Sequence, residues 1–282
     1  MARSIRLINT YFGPYPRWMP ALLQSCAANT DVEWLFFIDH QPPPVSYPNV
    51  RFEKLTLGGL NALASEKIGS SVVKDGYSQV DLKPAYGVIF EDFLHGVDFW
   101  GHCDIDVLWG RMRAFVPNDI LDRYAMISSR RQATSGHFTL FRNVAEVNSI
   151  FRDVPGWEAM FAEPKLHAFD ESKISRHLRS RIESGNLPFE IYWPEQIVID
   201  RPELRAQPHG WHWHDGRILD RQGREHFYLH FGEWKHGFVS EPLDYRAPSD
   251  YYAITRHGIW PRPVSRGETT LRGIRSWIGK SR

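Results

Sequence analysis

Cysteine is scarce: Cys26 and Cys103 are the only two in 282 residues, far apart and each in an otherwise apolar stretch. A disulfide framework is thereby excluded and a reducing compartment expected. Long apolar runs are also missing, none approaching the ~18 residues of a membrane-spanning helix. The opening MARSIRLINTYFGPYP has neither a sustained apolar region nor a small-residue cleavage site. No standard secretion signal is expected, and the cytoplasm is the expected location. Nor is there an excess of one charge, with 34 Lys+Arg against 33 Asp+Glu, and no nucleic-acid partner is expected. The Gly-rich dinucleotide loop, the P-loop, HExxH and GxSxG are all absent, which removes the enzyme classes easiest to recognise. Internal repeats and low-complexity tracts are absent as well.

What is present suffices for a large core: 42% of residues are hydrophobic and 24% charged. The length fits one large α/β domain with a terminal appendage, divided at 1–255 and 256–282. The appendage holds seven basic residues and a single acid, Glu268, while the rest of the chain is net negative. Leu271, Ile274, Trp277 and Ile278 fall at helical spacing among those cations, the pattern of a basic amphipathic helix facing anionic lipid. A solvated or core-docked terminal helix is the alternative.

The first third alternates strand and helix. Ile5–Thr10 reads as a strand, Trp18–Ala28 as a helix and Trp34–Ile38 as a buried strand ending in Asp39, a βαβ unit with a parallel sheet. Pro42 to Pro44 force a loop; Val50–Leu55 reads as a strand and Leu57–Ile68 as a helix. Lys83–Leu94 has a second helical pattern with Pro84 in its first turn, and Asp98–Asp106 is strand-like with its apolar residues giving way to two acids. Further on, Asn118–Tyr124 reads as a capped helix, Phe138–Phe141 as a strand, Val144–Phe151 as a helix and Glu171–Glu183 as a longer one ending at Gly185. From Trp211 to Phe231 the pattern is period two, with turns at Asp215-Gly216 and Gln222-Gly223, so antiparallel strands are expected.

Chemistry is concentrated in two stretches. In DFWGHCDIDVLWG, Asp104 and Asp106 are two residues apart, so on an extended backbone both carboxylates project to one side and can grip a hard divalent cation; a hydrogen-bonded turn is the alternative. Their place after an apolar strand is the edge where open α/β sheets bind ligands. In YLHFGEWK, His230 and Lys235 can reach a common anionic ligand, or be a core histidine beside an exposed lysine. His209, His212 and His214 lack the spacing of a structural zinc site. A strand with His212 and His214 on one face and Trp211 and Trp213 on the other accounts for them.

The segments LKPAYGVIFEDFL, DFWGHCDIDVLWG, SGHFTLFRN, AFDE and YLHFGEWK, in this order, resemble a bacterial family of GT-A-fold polysaccharide glycosyltransferases long catalogued as a domain of unknown function. The resemblance spans roughly residues 5–235 and is specific in the combination of motifs. More distantly, an Asp-x-Asp followed by a late His-Phe-x-x-x-Lys is similar to the glycogenin-like transferases, although this chain continues Lys235-His236-Gly237 where those have Lys-Pro-Trp. The resemblance implies an α/β fold: a single GT-A, Rossmann-like nucleotide-sugar-binding domain with a mixed central sheet, a small antiparallel hairpin region and the basic C-terminal helix. It implies Mn2+ or Mg2+ on Asp104, Asp106 and His230, with Lys235 on the diphosphate of a nucleotide-sugar donor, a UDP-sugar; Lys83 either adds positive charge there or only caps or flanks its helix. Tyr11 and Phe12, after the first strand, and Asp39, after the second, are placed to meet base and ribose, with packing as the other role of the two aromatics. Asp170 and Glu171 offer a base for the acceptor, with helix capping as Asp170's other role, and His137 an acceptor contact. The implied reaction is hexosyl transfer to a glycan or lipid-linked acceptor in capsule or O-antigen synthesis, with the basic tail at the inner leaflet making the enzyme peripheral to that membrane. Two other classes fit the composition: a non-catalytic carbohydrate-binding module stacking its aromatics on sugars, and a glycoside hydrolase with paired acids about 5 to 9 Å apart.

Overall fold

The computed structural model describes residues 2–194, 198–199, 210–265 and 267–268. Leu271, Ile274, Trp277 and Ile278, and with them the expected amphipathic helix, lie outside the described residues. Among the described residues no helix is long and apolar enough to cross a membrane.

The chain is a mixed α/β protein. Its strands are β1 Ile5–Tyr11, β2 Val32–Ile38, β3 Val50–Lys54, β4 Phe99–Cys103, β5 Val107–Trp109, β6 Met126–Ser128, β7 Phe138–Arg142, β8 Ile191–Tyr192, β9 Val198–Ile199, β10 Trp211–His214, β11 Arg217–Leu219, β12 Glu225–His226, β13 Tyr228–His230, β14 Tyr251–Thr255 and β15 Gly258–Trp260. The central sheet has the order β3-β2-β1-β4-β7-β6-β8. Strands β3, β2, β1 and β4 run parallel, whereas β7 is antiparallel to both β4 and β6. β2 is a nearly continuous apolar run, and β1, although it carries Arg6, Asn9 and Thr10, is buried over most of its length, because both faces of these strands are covered.

Helix α1, Met19–Ala27, packs Leu22, Leu23 and Cys26 with Trp34, Trp109 and Phe138 on one side of the sheet. Helix α2, Leu57–Ile68, sets Leu60, Ala64 and Ile68 with Phe90, Trp100 and Phe141 on the other. Thr56 caps α2 by accepting from the Gly59 amide, and Gly69, at φ +75°, ends it. At Gly101 on β4 a Cβ would lie 2.5 Å from Thr139 O and 2.6 Å from the Leu140 side chain, so only glycine lets this part of the sheet close. Cys26 and Cys103 are buried free thiols.

Several elements depart from the sequence pattern. The expected helix over 83–94 is broken into a 3-10 segment Ser78–Ala85, one α-turn Tyr86–Ile89 and a 3-10 turn Glu91–Phe93. Pro84 lies inside the first piece, and Gly87 abuts the indole of Trp100, where a Cβ would approach to 2.6 Å. The helix expected at 144–151 is one α-turn, Ala145–Asn148, followed by a 3-10 turn Ile150–Asp153. The helix expected from Glu171 begins as a π-turn, Phe169–Lys173, after Ala168 at φ +50°, and is α-helical only over Ile174–Glu183. Asp170 therefore lies inside the turn and does not cap it. The Asn118–Arg123 helix follows Pro117 and has no side-chain cap. β4 ends at Cys103, and Asp104 to Asp106 form a bend, not the extended run expected.

The antiparallel region is a five-stranded sheet, β12-β11-β10-β14-β15. Asp215 at φ +47° and Gly216 at φ +75° make the two-residue turn between β10 and β11. Trp211 and Trp213 are buried, and His212 and His214 face outward. The expected boundary at 255 falls in the β14–β15 hairpin, so the fold continues to at least Trp260. A three-stranded sheet, β5-β13-β9, joins the two regions.

Candidate active site

The order β3-β2-β1-β4 reverses direction at β1, and the crevice between the carboxyl ends of β1 and β4 is where an open α/β sheet offers a ligand site. A cleft of about 720 Å³ occupies it. Asp104 and Asp106 enter from the bend after β4. His230 arrives because β13 pairs with β5 in the register His230↔Val107, beside Asp106. The Phe231 amide donates to Asp106 O at 2.8 Å and locks that register. One ligand atom from each of Asp104, Asp106 and His230 lies within 4.8 Å of the others, close enough to share one cation.

Two ammonium groups attend these acids. Lys235 Nζ donates to Asp106 Oδ2 at 2.6 Å, and His230 Nε2 is 3.5 Å from Asp106 Oδ1. Burial opposes ionisation of Asp106, but His230 and Lys235 outweigh it and hold the carboxyl well below the usual range. Lys83, buried, donates to Asp104 Oδ1 and, at 2.7 Å, to the carbonyl of Gly136. Burial alone would lower the proton affinity of Lys83; the charges of Asp104 and Asp170 outweigh it and hold the ammonium above its usual range.

Asp170 lies 3.9 Å from Lys83 Nζ and is buried. Burial pushes its carboxyl up to about 7, Lys83 opposing and Glu171, Asp104 and Asp81 adding to the rise. Because the folded value lies above the ordinary 3.8, the neutral acid stabilises the fold fully below about pH 4, and that contribution is lost as pH rises through about 7. Asp170→Asn should remove the loss. The unfolding free energy of the variant relative to the parent should rise by up to about 4 kcal/mol between pH 4 and pH 8, at ~1.4 kcal/mol per pK unit. Denaturant titrations at both pH values check this, and a constant difference contradicts it.

Glu171 accepts from the Gly136 amide at 2.9 Å and is 3.5 Å from Arg130. Gly136 has no room for a side chain, since a Cβ would lie 2.6 Å from Asp170 Oδ2. The turn Ser135 to His137 thus ties the Asp170–Glu171 segment to Lys83 and, through it, to Asp104.

The structure brings Tyr11, Lys83, Asp104, Asp106, His137, Asp170, Glu171, His230 and Lys235 into the lining of one cleft. Phe12 instead packs against the core, and Asp39 accepts from the Gly13 amide at 3.0 Å and pairs with His40. Neither is among the described residues that line the cleft. His137, expected at the acceptor, is 2% exposed and stacked beneath His230. Sequence reasoning passed over Gly136, Arg130 and Tyr228. Tyr228 had a usable signal, since residues 228 and 230 of one strand share a face. Gly136 and Arg130 had none, because their partners are distant in the chain.

Fold and site together define a mixed α/β protein with a carboxylate–imidazole centre at its topological switch point. The chain belongs to the family described as "Family of unknown function (DUF6625)", whose family model matches residues 7–262. No curated protein matches the sequence significantly. Similar solved structures include the galactosyltransferase LgtC in complex with donor and acceptor sugar analogues, at 10% identity and TM-score 0.38, covering 61% of this chain and 69% of that one. Mouse xyloside xylosyltransferase 1 in its apo form has 7% identity and TM-score 0.44, covering 81% and 97%. The glycosyltransferase GlyE of Streptococcus pneumoniae TIGR4 has 10% identity and TM-score 0.33, covering 70% and 55%. All three scores are below 0.5, so the function is read from the site itself.

Proposed function

We propose that this chain is a metal-dependent glycosyltransferase of GT-A type, moving a hexosyl group from a UDP-sugar to a glycan acceptor in surface polysaccharide synthesis. The convergence of Asp104, Asp106 and His230 within 4.8 Å, ringed by Lys83 and Lys235, carries this reading. Two carboxylates and an imidazole suit Mn2+ or Mg2+, the oxygen-rich set favouring a hard cation and the imidazole favouring manganese. When bound there, such an ion neutralises charge developing on a departing diphosphate.

Charge balance supports the pairing of metal with diphosphate. Asp104 and Asp106 are offset by Lys83 and Lys235, and Asp170 is held toward its neutral form, so the centre is close to neutral. A divalent cation alone adds uncompensated charge, and a diphosphate alone adds the opposite, while the two together restore neutrality. Lys235, partly exposed, can turn from Asp106 to a phosphate oxygen; one unit-charge pair at ~4 Å and an effective dielectric of ~20 is worth about 4 kcal/mol, roughly a thousandfold in rate. Tyr11 contributes an aromatic face near the donor's base. Asp170, with a proton affinity near neutrality, and Glu171 serve the acceptor hydroxyl.

The carbohydrate-binding alternative is disfavoured by exposure. Trp211 and Trp213 are buried, and Tyr77 is the one aromatic among the strongly exposed large hydrophobics of the described residues. The hydrolase alternative is disfavoured because Asp104 and Asp106 converge on one point with His230.

A panel of nucleotide sugars tests the proposal without the acceptor being known. Slow hydrolysis of one donor, dependent on Mn2+ or Mg2+ and stopped by chelator, is expected; no hydrolysis and no metal-dependent nucleotide binding would contradict it. The basic segment 256–282 would keep the enzyme near lipid-linked acceptors at the inner leaflet. Removing residues 266–282 should abolish co-sedimentation with anionic vesicles, and unchanged sedimentation would remove that part.

A further inference from the structure

The three ligand residues come from two different sheets. Asp104 follows β4 of the central sheet, whereas Asp106 directly precedes β5 of the three-stranded sheet, whose partner β13 ends in His230. The distance of Asp104 from the other two therefore depends on whatever fixes one sheet against the other at this point. The β5–β13 backbone ladder sets the register, but leaves the rotamer of the His230 ring to its side-chain neighbours.

His137 is a side chain that spans the gap. It immediately precedes β7, which is hydrogen-bonded to β4, and it is 2% exposed. Its ring stacks on that of His230, with centroids 4.3 Å apart and an interplanar angle of 24°. Its Nδ1 shares a 2.5 Å hydrogen bond with the hydroxyl of Tyr228, which in turn shares one of 2.6 Å with Ser129 Oγ. Tyr228 and His230 lie two residues apart on β13 and present the same face to it. Ser135 Oγ, 2.9 Å from the His137 ring nitrogens, holds the imidazole from its own turn. The neighbouring Gly136 carbonyl receives Lys83, the partner of Asp104, so one three-residue turn touches both halves of the ligand set.

We propose that His137 is a positioning residue: its ring fixes the orientation of the His230 imidazole and the spacing between the two sheets, so that the three ligands are set for the cation before it arrives. The proposal rests on the metal-site reading above. Pre-setting a ligand through its neighbour typically changes metal affinity by about 10- to 100-fold.

Free Mn2+ measured by electron paramagnetic resonance in the presence of UDP, together with melting curves, tests it. His137→Ala, which removes ring and hydrogen bond, should weaken Mn2+ binding about 10- to 100-fold. His137→Phe, which keeps a ring to stack, should restore affinity to within about threefold of the parent, on the premise that ring packing orients the ligand. Parent-like Mn2+ affinity in His137→Ala would overturn the proposal, as would equally weak binding by both variants in step with lowered melting temperatures, which would mark a packing residue only. Failure of the parent protein itself to take up Mn2+ with UDP would instead overturn the metal-site reading and this inference with it.

Discussion

Asp106→Asn is expected to lower metal-dependent turnover of the nucleotide sugar by about a thousandfold or more, the worth of one close charge pair in a shielded site. The side chain keeps its shape and loses its charge. Burial would ordinarily disfavour a carboxylate at this position, yet His230 and Lys235 hold it ionised, which is an arrangement spent on charge and not on packing. The fold should survive, because Lys235 is 35% exposed and can return to water when its partner is neutralised. Circular dichroism and melting curves alongside the rate would separate a lost charge from a lost fold. Asp104→Asn should behave differently. It leaves the buried Lys83 ammonium beside Asp170, and with the Asp104 charge gone Asp170 should ionise at lower pH and take over as its partner.

Lys74→Met should destabilise the protein by about 3–5 kcal/mol, the cost of leaving one partner of a buried ion pair alone. Lys74 and Asp81 are both fully buried and 2.9 Å apart. The ammonium also donates to the carbonyls of Met160 and Lys165, and the carboxylate accepts from the amides of His167 and Phe169. Every polar atom of the pair thus restrains the segment leading into Asp170 and Glu171. At roughly 2–4 °C per kcal/mol for a chain of 150–250 residues, the melting temperature should fall by about 10 °C. A drop of a degree or two would mean that the pair contributes little. In the material that remains folded, acceptor-dependent transfer should decline more than donor hydrolysis, if Asp170 and Glu171, whose segment the clamp restrains, serve the acceptor as proposed.

Much of the fold was legible in the sequence because its signals are local. Thr56 and Gly69 delimit α2, the apolar run of β2 announces a doubly covered strand, and Asp215-Gly216 marks a tight hairpin. The broken helices were not legible. Lys83 is drawn inward by Asp104, 21 residues away, and Ala168 takes a left-handed conformation in a segment tied to Asp81; neither is visible to a periodicity argument.

The site divides in the same way. Asp104 and Asp106 stand at the end of an apolar strand and were placed by that fact, although through a bend and not an extended backbone. That His230 meets them follows from β13 lying on β5, a pairing between strands more than 100 residues apart. The burial of His137 depends on Tyr228 and on the packing of two sheets, and the single residue type gave no sign of it. Phe12 illustrates the converse: its position after β1 suited a ligand contact, and packing claimed it.

The most direct test of the account is calorimetric titration of UDP into the protein with and without Mn2+, repeated on Asp106→Asn. Nucleotide binding that appears only with the metal, and is lost in the variant, is the predicted result. Equal binding of UDP with and without Mn2+, or undiminished binding by Asp106→Asn, would contradict the assignment of Asp104, Asp106 and His230 as the centre that receives the diphosphate.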